Sequence, residues 1–159
     1  MYASAVQILL ASLIWQGYGC NSMMFPNERH NGDGWETWVW YPCPNVLCTR
    51  AQGHASLPTA RTMMAGFDRV AQGGGQVTVF HDWSGVTGYT TEARVAYVNW
   101  SKPHAAQTDK IHMLTQSRIV AMGISVASLV LPHLVSHKDR AEFERQRALA
   151  TEGAPLPNW

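Results

Sequence analysis

Residues 76–94 read QVTVFHDWSGVTGYTTEAR, and this stretch decides the fold because it sets a core-strand signal, a polar loop and a helix start side by side. Val77, Val79 and Phe80 are β-branched or aromatic. Gly73, Gly74 and Gly75 precede them and His81 and Asp82 follow, which is how a short buried strand is punctuated. Ser84, Gly85, Thr87 and Gly88 favour a loop. Thr90 or Thr91 offers an oxygen to an orphan N–H of a helix beginning near Glu92, whose charge suits the positive end of the helix dipole. Ligands and partners of α/β domains meet the chain at the carboxyl ends of strands, so the 82–91 loop is the expected functional region.

Working outward, Ser56 reads as an N-cap with Pro58 in the first turn. Leu57, Ala60, Met63, Met64, Phe67 and Val70 recur at spacings of three and four, as on the apolar face of a helix. The three glycines that end this helix precede a strand. A phosphate loop links a strand to a helix, so a flexible turn is expected here and no cofactor. Upstream, residues 35–41 carry Trp35, Trp38 and Trp40 and favour a strand whose aromatic side chains serve packing. Pro42, Pro44 and Asn45 then turn the chain into a second strand over 46–51, a hairpin. Downstream, Ala93, Ala96, Tyr97 and Trp100 mark a helix closed by Pro103, and residues 111–114 form a strand followed by the loop Thr115, Gln116, Ser117 and Arg118. Residues 119–131 are apolar on nearly every face with several small side chains, which predicts a helix buried against the sheet. Asp139 caps a last, polar helix containing Phe143 and Leu149.

The chain has 159 residues, enough for one domain that buries a core without a staple. Charged residues are 14% and the net charge is +1, which argues against a nucleic-acid partner. Cys20, Cys43 and Cys48 lack the spacing of a zinc or redox site and suggest a reducing, cytoplasmic setting. Residues 1–22 carry no charge, and their apolar run over 3–14 is too short to span a bilayer. They read as an extension upstream of an effective start at Met23 or Met24, the alternative being a lipoprotein signal that anchors the chain to a membrane through Cys20. The domain is expected over 35–150, with a flexible tail over 151–159.

Strand and helix alternating after an opening hairpin predict an α/β domain with a mostly parallel, four- to five-stranded sheet covered by helices. The element order, with VTVFHDWSGVTGYTTEAR and IHMLTQSRIVAMGISVASLVL, resembles the STAS-like domains of anti-sigma factor antagonists and related SpoIIAA-like and STAS-SEC14-like bacterial regulators, over roughly residues 40–149. That family has a strand ending in Asp and an Asp-Ser-Ser-Gly element at a helix N-terminus, whose first Ser is phosphorylated by a partner kinase. The resemblance implies that Asp82 is the strand-end Asp and that Thr90 stands where the phosphorylated Ser would be. Tyr89 and Glu92 replace the Asp and the Gly, so the hydroxyl survives while the kinase-docking signature does not.

The resemblance therefore implies a non-enzymatic signalling module whose partner is another protein, of kinase or anti-sigma type or another regulator, met through Asp82, Ser84, Thr90 and Thr91. Homodimerisation is compatible with it. A second reading is a lipid- or amphiphile-binding domain using the 119–131 helix, with Arg94, Ser117 and Arg118 holding a carboxylate or phosphate. A third is a hydrolase built on His81, Asp82 and Ser84. Near-consecutive strand residues point to different sides, which opposes a triad. The seven histidines show no paired spacing on one helix face, so no metal site is expected.

Overall fold

The computed structural model describes residues 25–129 and 131–154. The readings of residues 1–22, including Cys20, and of residues 155–159 lie outside them. The described elements are β1 (Glu28–Gly32), β2 (Trp35–Cys43), β3 (Val46–Ala55), α1 (Leu57–Ala71), β4 (Val77–Tyr89), α2 (Thr91–Ser101), a short 3-10 turn (Ala105–Gln107), β5 (Thr108–Leu114), α3 (Arg118–Ser128), β6 (Leu134–His137) and α4 (Arg140–Ala150). The strands form one six-stranded sheet in the order β1-β2-β3-β4-β5-β6. β1, β2 and β3 pair antiparallel, whereas β3 to β6 pair parallel through helical crossovers. The sheet is thus mixed and wider than the four or five strands expected.

Two strands escaped the sequence reading because neither has an apolar pattern of its own. β1, with sequence ERHNG, lies in a segment that reads as turn chemistry, and it pairs with β2 as a polar edge strand. The fold therefore begins ahead of Trp35. β6 has only four residues, with Ser136 and His137 among them, and β5 supplies its register. The tight return from β2 to β1 depends on Gly53. That residue has φ +82°, and a Cβ there would sit 3.0 Å from the Gly34 carbonyl carbon.

Each sheet face has its own core. Val39, Tyr41, Leu47, Val77, Val79 and Ile111 pack under Phe67 and Val70 of α1, and beside them Ala51, Ala55, Val86 and Met113 meet Met63, Val120 and Ile124. On the opposite face Trp40, Cys48, Phe80 and Leu114 pack against Phe143 of α4. β2 is consequently buried on both sides, which explains its unbroken run of bulky residues. Past α4 the chain stays attached as far as Ala154: Thr151 is fully buried, and Arg147 donates to the Ala154 carbonyl.

α3 departs from expectation. Only Val120 and Ile124 are buried, while Ile119, Met122, Val126 and Leu129 are 61%, 67%, 56% and 83% exposed. A helix lying on a sheet buries one stripe, and among the described residues no second layer covers the rest of this one. The small residue Gly123 does face the sheet, at the end of β4, where a Cβ would come within 2.7 Å of Tyr89 Cζ. Gly123→Leu should therefore cost about 1–3 kcal/mol through overpacking against Tyr89. Chemical denaturation measures this, and an unchanged midpoint would mean that the Tyr89 ring swings away freely.

Candidate functional site

The segment read as a loop over 82–91 is largely strand. β4 runs thirteen residues to Tyr89, because β3 supplies backbone partners as far as Ala55, with irregularities in register after Arg50 and after Gly53. Asp82 and Thr90 stand eight positions apart, up to about 25 Å along an extended strand. They belong to two sites rather than one.

The first site surrounds Thr90. Its hydroxyl caps α2 by accepting from the Ala93 N–H at 3.1 Å, while Thr91 and Arg94 are exposed. Arg94 borders an apolar cavity of about 70 Å³ lined by Trp83, Tyr89, Tyr97, Ile124 and neighbouring residues. It also borders an open groove of about 240 Å³ between α2 and α3, lined by Val95, Val98, Val126 and Ala127. Ser117, expected to bind a ligand, caps α3 through the Val120 N–H at 3.4 Å. Arg118 is exposed at the start of that helix. β5 ends level with Asp82, so the Gln116–Arg118 loop does not join the Thr90 end of β4.

The second site lies on the face that carries α4. Asp82 is only 3% exposed. It accepts from Arg50 Nε at 3.2 Å, Arg140 Nη1 at 3.1 Å, Arg140 Nη2 at 3.3 Å, the Ser84 N–H at 3.1 Å and the Ser84 hydroxyl at 2.6 Å. Burial by itself would raise its pKa, but the hydrogen bonds from Arg140 and Ser84 together hold it below the ordinary aspartate value. Arg50 and Arg140 replace the expected Arg94 and Arg118 as the arginines of this region. Arg50 is brought to Asp82 by the parallel register of β3 and β4, and Arg140 by the seating of α4. The one available sequence signal was an Arg directly following a capping Asp139.

His81 points to the other face. Its Nδ1 is 2.6 Å from Thr49 Oγ1 and its Nε2 is 3.1 Å from the Tyr97 hydroxyl. Burial drives its pKa down to about 3, so the ring is neutral. His81, Asp82 and Ser84 therefore form no triad: imidazole and carboxylate are on opposite sides of β4. An imidazole pair, His112 Nδ1 and His137 Nε2 at 2.9 Å, lies beneath α4. Among the described residues no cluster of His, Cys, Asp or Glu could hold a metal ion, and no helix is long and apolar enough to cross a membrane.

No family model matches the chain, and no curated protein matches it. Among solved structures it is similar to an uncharacterised protein of the DUF3478 family with a SpoIIAA-like fold, from Shewanella loihica PV-4. The identity is 13% and the TM-score 0.54, over 77% of this chain and 98% of that one. The likeness shows the fold: a SpoIIAA-like α/β architecture, consistent with the STAS-like resemblance of the sequence.

Proposed function

We propose that this chain is a non-enzymatic regulatory module of the STAS-like type that binds another protein through the face formed by Thr90, α2 and the exposed stripe of α3. The observation that carries the reading is that stripe. Ile119, Met122, Val126 and Leu129 recur at spacings of three and four and stand 56–83% exposed, and Val126 shares a groove with Val95, itself 47% exposed. Contiguous exposed apolar surface of this kind marks an interaction site, and a helix face read at such spacing is a common mode of protein recognition. Thr90 adds a hydroxyl at a helix N-terminus, where a phosphate would meet free N–H groups, with Glu92 opposing it.

An amphiphile-binding role is the second reading, favoured by the nearly all-apolar lining of the cavity between the helices and by Arg94 at its edge. The enclosed volume of about 70 Å³ weighs against it. An apolar cavity that binds a molecule as small as benzene has about twice that volume, on the order of 150 Å³.

Recovery of a partner from the native cell by wild type, Thr90→Glu, Met122→Glu and Asp82→Ala tests the proposal. Thr90→Glu and Met122→Glu should cut recovery at least about tenfold while shifting stability by less than about 1 kcal/mol, as surface changes do. Asp82→Ala, on the other face, should leave recovery intact. Equal recovery by all four proteins would remove this face from consideration.

A further inference from the structure

We propose that the cleft between Arg50, Gln52, Ser84, Gly85 and Arg140 binds a small oxyanion, a carboxylate or a phosphate group, with Arg50 as its principal ligand-binding residue. The cleft, which the Asp82 carboxylate also lines, has a volume of about 350 Å³ and opens on the sheet face that carries α4, away from the Thr90 surface. Ligand sites of this size are ordinary. What singles it out is the state of its polar groups.

Asp82 already accepts five hydrogen bonds from Arg50, Arg140 and Ser84. An ionised carboxylate has about four lone-pair positions, so none is left to face a ligand. The carboxylate acts as a clamp that orients two guanidinium groups rather than as a charge repelling an anion. Arg140 is largely spent: it spans Asp82 bidentately, donates to Ser84 Oγ at 2.6 Å and lies 3.6 Å from Glu144. Arg50 is not. It gives only Nε to Asp82, and its terminal nitrogens make no hydrogen bond to a described residue. Its side chain is 26% exposed, so the fork is held in place and still reached by solvent. The Gln52 amide beside it is also without a partner among the described residues.

The backbone keeps the cleft open. Register slips between Arg50 and Gln52, so that Asp82 and Gly85 of β4 flank two unmatched residues. Irregularities of this kind commonly re-aim side chains beside sites. At Gly85 a Cβ would lie 2.8 Å from Gln52 Cγ, so any larger residue would displace the Gln52 side chain that lines the cleft. A rigid, preoriented guanidinium with two free N–H pairs next to a free amide matches the planar edge of a carboxylate or two oxygens of a phosphate.

The test is a titration of the full chain with inorganic phosphate and with acetate, each against chloride at matched ionic strength, followed by NMR of the Gly85 amide and the Gln52 side-chain amide. Saturable shifts with either anion are expected, phosphate alone indicating a tetrahedral ligand and acetate alone a carboxylate. Arg50→Gln should weaken the interaction by about tenfold or more, and Arg50→Lys, which keeps the charge and loses the fork, should also weaken it. Arg118→Gln should change nothing. Both Arg50 variants keep the Arg140–Asp82 pair, and if one loses its native spectrum the other carries the comparison. Shifts that rise linearly, match those in chloride, or persist unchanged in a folded Arg50 variant would overturn the assignment.

Discussion

Between pH 7.5 and pH 5 the folded protein should lose roughly 4 kcal/mol of stability, through two histidines that are neutral in the fold. Burial pushes the His81 pKa down to about 3. Burial, helped by the neighbouring His137 and Lys110, pushes that of His112 down to about 4. In the unfolded chain each titrates near 6.5. The unfolded state therefore takes up protons first as the pH falls. The stabilisation is complete above about pH 6.5 and drains away below it, by up to about 1.4 kcal/mol per pH unit for each ring. At pH 5 this comes to roughly 2 kcal/mol for each histidine, a large share of the 5–15 kcal/mol typical of a domain. His137, likewise lowered by burial, adds to the same trend, and its contact with His112 needs one ring to accept, which two imidazolium ions cannot do. Asp82, whose pKa lies below the ordinary value, contributes only at more acidic pH. Urea midpoints from pH 7.5 to 5 measure the loss, and His112→Gln should flatten the slope. A curve already flat in the wild type would mean that both rings reach solvent in the folded protein.

Phe143→Ala should cost about 3–5 kcal/mol, because it is the single buried anchor of α4. The ring is 2% exposed and packs edge-on against Phe80 at 5.8 Å and His137 at 5.6 Å. The remaining attachments are weaker. The Arg145–Glu142 pair lies within the helix on its exposed surface, where water screens it, and the Arg147–Glu144 pair, whose arginine is 12% exposed, is likewise internal to α4 and does not tie it to the sheet. Arg140, which ties α4 to Asp82, is 47% exposed and partly screened by water. With the ring removed, α4 should detach ahead of the sheet, and its amides should exchange hydrogen faster than those of β4 and β5. Hydrogen exchange and denaturation of the variant measure both effects. A loss under about 1 kcal/mol would show that the ion pair, not the ring, seats the helix.

Legibility in the sequence followed the range of the interactions. The Thr90 and Asp139 caps are local chemistry, a side chain reaching an N–H two or three residues on, and both helix starts were readable from residue type, whereas Ser117, read as a loop and ligand residue, caps α3 in the same way. The α1 face was readable too, since Met63, Phe67 and Val70 bury at helical spacing. The strand character of residues 84–89 was not, because SGVTG prefers a turn and is drawn into the sheet by β3. The Asp82 site was half legible: the carboxylate stands out in sequence, but its arginines lie 32 and 58 residues away, joined to it only by strand register and helix docking. The apolarity of α3 was correctly seen and wrongly placed, since a helix apolar on every side can be covered on every side or can present one side to a partner.

The strand order has a bearing on how the chain assembles. Among the described residues each strand after β1 hydrogen-bonds to the one before it in the sequence, so none of these strands waits for a distant one and none must be inserted between two that already pair. The growing sheet can extend along one advancing edge in step with synthesis, each addition closing only the loop that contains its own crossover. That edge would be a hazard for aggregation if exposed and long. It stops at β6, four residues ending in a histidine stacked on its neighbour in β5, too short to template another chain.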